Sequence, residues 1–468
     1  METKINGSKS LPRTKTEIRP FGMRDKIGYL FGDLANDTFF ATVNIFLIVY
    51  YVDVLGISAA LVGTVFIVAR IWDAFVDVLW GRFIDSRPVT KEGKFRPWII
   101  RGALPLVIFG ALMFIQIPGL SNEGTKIFAI LAYAVWGMLY STVNIPYGAL
   151  AHVMTTDNIE RAALSTYRSM GATISFQVIG MVVPLVVFVS NRPNGDRFSL
   201  VGIALAVIAL ICYIVCYKLT TERVTATEVG KCKQKLNVGT TVRGLAKNRA
   251  FVVLVISSLM LVISMGLTGS INTYLFKDYF HDAKMMSAFY GLGIIIMFMI
   301  VPMVIPLVKK FGVKEVAAGG LLFSAVMYFI LFLLPITNVY LYLVLVFIAE
   351  FGKTFFLYTL WAMVNDVIDY HEYTTGIREA ATIYSVYMFI RKLAQALAGG
   401  LSGFALAWVG YVPKVPAQTL EVALNIKRMF TLTSAVTYLL IFLALAFLYP
   451  LTKGKIAQLK KDLERRAI

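Results

Sequence analysis

Charged residues are scarce in this 468-residue chain, at 15%, where a soluble globular protein carries about 25%. Histidine and cysteine are scarcer still, at three each. His152, His281 and His371 stand far apart and form no H-E-x-x-H motif. The chain also lacks a nucleophile elbow and a phosphate-binding glycine loop. These absences argue against an enzyme, and nothing calls for a cofactor. Cys212 and Cys216 lie a turn apart in an apolar run and Cys232 in a polar stretch. That is no disulfide framework, and they read as packing residues or a free thiol. The first 25 residues are polar and basic, with no apolar run for a cleavable signal peptide. The first apolar helix is expected to serve as an uncleaved targeting signal.

Apolar residues, by contrast, make up 58% of the chain, and the mean hydropathy is +0.72. Apolar runs of about 20 residues, the length that spans a hydrocarbon core, recur throughout. The pattern excludes a soluble core and predicts an all-α polytopic membrane protein. Twelve spans are expected, near 27–52, 59–84, 98–118, 125–153, 166–190 and 199–219, then 250–277, 286–308, 315–335, 338–364, 381–410 and 428–450. The polar stretch 220–249 separates two six-helix halves. The expected organisation is a segment 1–26, a half 27–219, a middle loop 220–249, a half 250–450 and a tail 451–468. Two such halves with a site at the midplane are a transporter layout.

A net charge of +18 raises the question of nucleic acid, and the placement of the charges answers it. Lys and Arg gather before residue 27, in "GRFIDSRPVTKEGKFR" (81–96), in 222–249, in "KKFGVK" (309–314) and in the tail. The alternate loops, such as "DVLGIS" (53–58), carry few or none. By the positive-inside rule both termini and the middle loop lie in the cytoplasm of a multi-pass cell-membrane protein.

A charge at the centre of a span costs about 2.5–3.5 kcal/mol, so those present are expected to have functions. The first half has Asp33, Asp37, Arg70, Asp73, Asp77 and Arg168; the second has Glu350, Lys353, Arg391 and Lys392. In "ARIWDAFVDVLWGRFID" (69–85), Asp73 and Asp77 fall on one helix face a turn apart. Like charges at that spacing repel, so helix stability is not their purpose. Two acids in one half and Lys392 in the other suggest an inter-half ion pair remade as ligands come and go. A plain Arg70–Asp73 pair is the structural alternative, and it leaves Asp77 without a partner.

Several longer stretches carry a resemblance: "YYVDVLGISAALVGTVFIVARIWDAFVDVLWG", "GKFRPW" (93–98), "WGMLYSTVNIPYGALA" (136–151) and "NDVIDYHEYTTGIREAATIYSVYMFIRK" (365–392). From "IGYLFGDLANDTFF" to "FLYPLTKGKI" the chain resembles the glycoside–pentoside–hexuronide:cation symporters, in detail most like their glucuronide-carrier branch. The resemblance implies a major-facilitator fold, symport by alternating access, no cofactor, and a carrier that functions as a monomer. It places Asp73, Asp77, Ser141 and Lys392 at a cation site, with sodium at Asp73 and Asp77 as the metal alternative to a proton. It places Asp37, Asn36, Asn144 and Arg168 at a sugar site. Asn144 replaces an acid, Gly148 a stacking tryptophan and Asn36 a lysine of the melibiose carrier, which argues against galactoside recognition.

The chemistry fits those roles. Two carboxylates a turn apart in low dielectric capture a proton or a metal ion, because burial and repulsion disfavour two bare charges. Val76 offers no polar ligand beside Asp77, which favours the proton. Asp37 accepts from sugar hydroxyls and Arg168 donates in a fixed fork. Trp361 is an aromatic candidate for the sugar face, with Tyr140, Tyr147 and Tyr384 behind it. Arg391 makes room for an anionic sugar, a glucuronide or hexuronide, with a pentoside as the neutral form. An inner gate of ion pairs is expected between Asp85, Lys94 and Arg96 and Asp366, Asp369 and Arg378. A sodium-coupled lysolipid carrier of the same fold is the competing function, and it would favour a more apolar cavity.

Overall fold

The computed structural model describes residues 19–90, 92–223, 244–245, 247–376, 380–415 and 417–467. The chain is almost wholly helical. The first set of helices is α1 (Met23–Thr42), α2 (Ala59–Ser86), α3 (Arg96–Leu112), α4 (Asn122–Met154), α5 (Asn158–Val187) and α6 (Gly195–Leu219). The second is α7 (Arg249–Tyr274), α8 (Met286–Phe311), α9 (Val313–Leu333), α10 (Val339–Thr375), α11 (Ala380–Trp408) and α12 (Leu420–Leu443), and a short helix α13 (Lys453–Ala467) ends the chain. Among the described residues nine helices are long and apolar enough to cross a membrane. The remaining places in the two sets of six are taken by α1, α3 and α11. Between α5 and α6 lies a two-strand hairpin, β1 (Phe188–Val189) and β2 (Arg192–Pro193), turned by Ser190 and Asn191 at positive φ.

Each half packs within itself: α1 lies on α5 and α6, and α9 lies between α10 and α12. The halves meet through α2 against α11 and α5 against α8. Close approach at α2–α11 depends on glycine, because a Cβ on Gly403 would stand 2.5 Å from the Gly63 nitrogen. Along α1, Thr38, Thr42 and Asn44 bond back to the carbonyls of Leu34, Thr38 and Phe40. Such back-bonds loosen a helix, and α1 continues as π turns at Val43–Leu47 and Tyr50–Val54. A matching π turn, Leu275–Tyr279, ends α7.

Two clamps set the helices that carry the site. Tyr29 of α1 and Tyr147 of α4 stack at 4.6 Å, and each hydroxyl donates to the other's carbonyl, at 3.4 and 2.6 Å. At the end of the bundle that carries the termini, buried Asp25 pairs with Arg19 at 3.0 Å and Arg223 at 2.9 Å. Beside it, Glu222 accepts from the backbone N–H groups of Lys94, Phe95 and Arg96 at 2.7–2.8 Å. A carboxylate at the start of α3 complements both the unpaired donors and the helix dipole.

Candidate functional site

The acids of α1 face α5. Arg168 donates through Nε to Asp33 at 3.1 Å, and its guanidinium lies over the Tyr147 ring at 5.3 Å. Tyr147 is fixed by Tyr29, so the arginine rests on a shelf that does not move. A Cβ on Gly148 would still stand 3.8 Å from the guanidinium, so that side of Arg168 is open. Asn144, a turn before Gly148, has a buried side-chain oxygen with no hydrogen-bond partner.

Asp37 is the exception on this face. Among the described residues it makes no hydrogen bond or ion pair, and its cationic neighbours are Arg168 of one half and Arg391 of the other. Arg391 lies over the Trp361 ring at 5.7 Å. Trp361 meets Tyr387 edge-on at 5.7 Å, and the Tyr387 hydroxyl shares a 2.7 Å hydrogen bond with Ser258. The second half thus presents an arginine on an aromatic support opposite the first half's acid and arginine. The Tyr384 side chain lies outside the described residues.

Asn36 goes elsewhere. It is buried against α6, where its carbonyl accepts from the Tyr213 hydroxyl at 2.7 Å. Neighbouring helix positions lie about 100° apart, so facing Asp37 into the site turns Asn36 away from it.

On α2 both sequence alternatives hold at once. Arg70 pairs with Asp73 at 3.7 Å and Lys392 reaches across to Asp77 at 3.3 Å. Arg70 also covers the Phe40 ring at 5.2 Å. One oxygen of Asp73 is buried without a hydrogen bond. It lies so close to α4 that a Cβ on Gly137 would stand 2.5 Å from it. Ser141, a turn further along α4, is also buried. A polar oxygen left unsatisfied in a dry site is costly, and a proton or cation on Asp73 would relieve that cost. Among the described residues no group of three or more Asp, Glu, His or Cys forms a metal cluster.

Glu350 and Lys353 do not join this site. They pair with each other, and Glu350 accepts from Tyr328, fastening α10 to α9. Of the expected gate residues, some can be placed. Arg96 donates to the carbonyl of Tyr217 at 2.5 Å and that of Glu92 at 3.3 Å, both in its own half. Lys94 is anchored at its backbone by Glu222. Asp366 and Asp369 lie near the end of α10, while Arg378 and the Asp85 side chain are outside the described residues.

One polar cluster went unnoticed in the sequence. At the end of the bundle away from the termini, Lys277 is ion-paired with Asp53, lies 3.4 Å from Asp278 and donates to the Tyr411 hydroxyl at 2.6 Å. Tyr411 donates to Asp53 at 2.7 Å. Burial, then the two carboxylates, push the Tyr411 phenol well above its ordinary range, so it stays a donor. Lone charges at the ends of spans, beside otherwise charge-poor loops, were the available signal.

This two-half bundle, with charges at its centre, has matches among known proteins. The model of the family "MFS/sugar transport protein" matches residues 28–453. The chain belongs to that family. Among its relatives, an uncharacterized symporter, YjmB, of Bacillus subtilis (strain 168) is 34% identical, over 97% of both chains. A glucuronide carrier protein homolog of Escherichia coli (strain K12) is 31% identical, over 95% of this chain and 96% of the relative. A solved bacterial homolog of the human lysosomal transporter Spinster covers 95% of this chain and 99% of its own at a TM-score of 0.63. At 15% identity that likeness shows the fold alone. Members of this family are membrane transporters of sugars and glycosides, without enzymatic activity or cofactor, and the glycoside–pentoside–hexuronide symporter resemblance falls within it.

Proposed function

We propose that this chain is a proton-coupled symporter that imports an acidic sugar, a glucuronide or related hexuronide, by alternating access. The reading rests on one observation: Asp37, without an ion pair of its own, lies within electrostatic reach of Arg168 of its own half and Arg391 of the other. A uronide placed there offers hydroxyls to Asp37 and a carboxylate to an arginine fork. Binding would draw the halves together, as alternating access requires. The glucuronide carrier homolog supports the class of substrate.

The coupling site is Asp73 and Asp77, with Ser141 alongside and Lys392 holding the charge balance while the site is empty. Protonation of Asp77 releases Lys392 and so changes the neighbouring sugar site. Each ligand then raises the other's affinity, as linkage demands. The twelve helices of the two sets cross the bilayer, and the end that carries the termini faces the cytoplasm, as the basic loops require.

The test uses energy-depleted cells in sodium-free, weakly buffered medium, with external pH recorded as a glucuronide, a xyloside and a galactoside are added in turn. Alkalinisation with the glucuronide alone is expected. Alkalinisation with the xyloside or galactoside alone would move the substrate class, and uptake only after added sodium would overturn the proton.

A second expectation concerns the cation. Val76 lies on α2 beside Asp77 with an apolar side chain. Val76→Asn adds a hard oxygen ligand of the kind sodium needs. Sodium-stimulated uptake should rise several-fold in the variant. Cation preference identical to the parent would count against an incomplete sodium cage.

A further inference from the structure

At the end away from the termini, a set of hydrogen bonds and ion pairs ties one half to the other. We propose that Lys277 is the keystone of an outer gate, a polar latch that seals the extracellular side while the sugar site is open to the cytoplasm.

Three observations meet there. Lys277, at the end of α7, is buried between Asp53 of α1's last π turn and Asp278, and Tyr411 of the α11–α12 loop bonds to both Lys277 and Asp53. The latch therefore ties a first-half helix end to two separate segments of the second half. The α5–α6 hairpin adds a second tie. The Asn191 side-chain amide donates to the Lys277 carbonyl at 2.7 Å, and its oxygen accepts from the Ala283 N–H at 2.8 Å. Deeper in, carbonyls of α1's first π turn are taken by the facing helix: Asn44 accepts from Ser270 at 2.9 Å and Ile45 from Thr273 at 3.2 Å.

The chemistry suits a device that opens. A buried ion pair contributes little net stability, because desolvation offsets its Coulomb energy. Opening returns Lys277, Asp53 and Asp278 to water, so the closed and open forms differ modestly in free energy. Breaking one partner while the gate stays shut is a different matter. It leaves a buried charge unpaired, which favours the open form. Lys277→Met would strand Asp53 and Asp278, and Asp53→Asn would weaken both latch bonds that cross between the halves, those to Lys277 and Tyr411. Gly403→Ala acts without charge, since its Cβ would meet the Gly63 backbone only while this end is closed.

The proposal rests on the alternating-access reading and on the cytoplasmic placement of the termini, and its test separates these. With Cys212, Cys216 and Cys232 replaced, Ser270→Cys places a reporter thiol inside the closed seam. A membrane-impermeant maleimide is applied to right-side-out and to inverted vesicles. From the extracellular side, Lys277→Met and Asp53→Asn should label at least tenfold faster than the reporter alone, and the swap Asp53→Lys with Lys277→Asp should restore slow labelling. Gly403→Ala should accelerate labelling whether or not the lysine variant folds. Unchanged labelling in both Asp53→Asn and Gly403→Ala would overturn the gate. Acceleration seen only in inverted vesicles would keep the latch and overturn the placement of the termini.

Discussion

Asp77→Asn is expected to reduce accumulation to equilibration: at zero membrane potential the internal-to-external ratio of sugar falls to about one, while exchange of labelled for unlabelled sugar continues. The reason lies in the 3.3 Å contact with Lys392. On the proposed mechanism, the empty parent carrier holds Lys392 on Asp77, and a proton must arrive to release it. Asparagine cannot take up that proton and cannot hold the lysine. Sugar would then cross with nothing to drive it uphill. Each unit of pH gradient is worth about 1.4 kcal/mol, roughly tenfold in accumulation, and the variant should show none of it. The proposed sugar site, on α1, α4, α5, α10 and α11, keeps all its residues, so exchange should survive. Measuring the ratio in vesicles with an imposed pH gradient, with and without a protonophore, decides it. A variant that still accumulates sugar tenfold per pH unit would remove Asp77 from the coupling site.

Arg391→Gln should weaken acidic sugars by about 10- to 100-fold in apparent affinity and change neutral glycosides by less than about twofold. A hydrogen bond to a charged group is worth about 1.5–3 kcal/mol, and about 1.4 kcal/mol is a factor of ten. Arg391→Lys should recover little of the loss. Lysine keeps the charge but neither the fork nor the flat stacking on Trp361 at 5.7 Å. The electrical readout changes too. A proton with a uronide anion carries no net charge, so parent uptake of the uronide should ignore membrane potential. A proton with a neutral glycoside gains about 2.3 kcal/mol per 100 mV, so neutral glycosides that the variant concentrates should follow voltage. Equal losses for acidic and neutral sugars would make Arg391 a scaffold residue.

Much of the site could be read before any coordinates, because intramembrane charges are few and helical spacing assigns them to faces. Asp73, Asp77 and Lys392 came from that logic, and the ion pair across the halves joins two of them. Asn36 did not follow Asp37 into the site, since adjacent residues never share a helix face. Arg391 and Lys392 are adjacent too: Lys392 reaches Asp77 across the halves, while Arg391 rests on Trp361 of its own half within electrostatic reach of Asp37.

The rest depends on contacts between distant parts of the chain. Glu222 captures the loop before α3, and the Arg96 side chain bonds to carbonyls of its own half. Nothing in the local sequence of either segment announces that meeting. Asp53, Lys277 and Tyr411 are likewise unremarkable singly; only the assembly of three helix ends makes them a cluster.

The wide turns of α1 have a consequence for how this gene can vary. A π segment is a helix carrying an extra residue in its ladder; one lies between Asp37 and Asp53, and Asp53 itself sits in the next. Losing one codon between 43 and 54 would let the segment relax into an ordinary α turn. Because the wide turn already absorbs one extra residue, what lies beyond the deletion would keep nearly its present direction, whereas the same loss in the α-helical part after Asp37 would rotate everything beyond it by about 100°. The π turns are therefore the place where this helix can lose a residue and still aim Asp37 and Asp53 as it does.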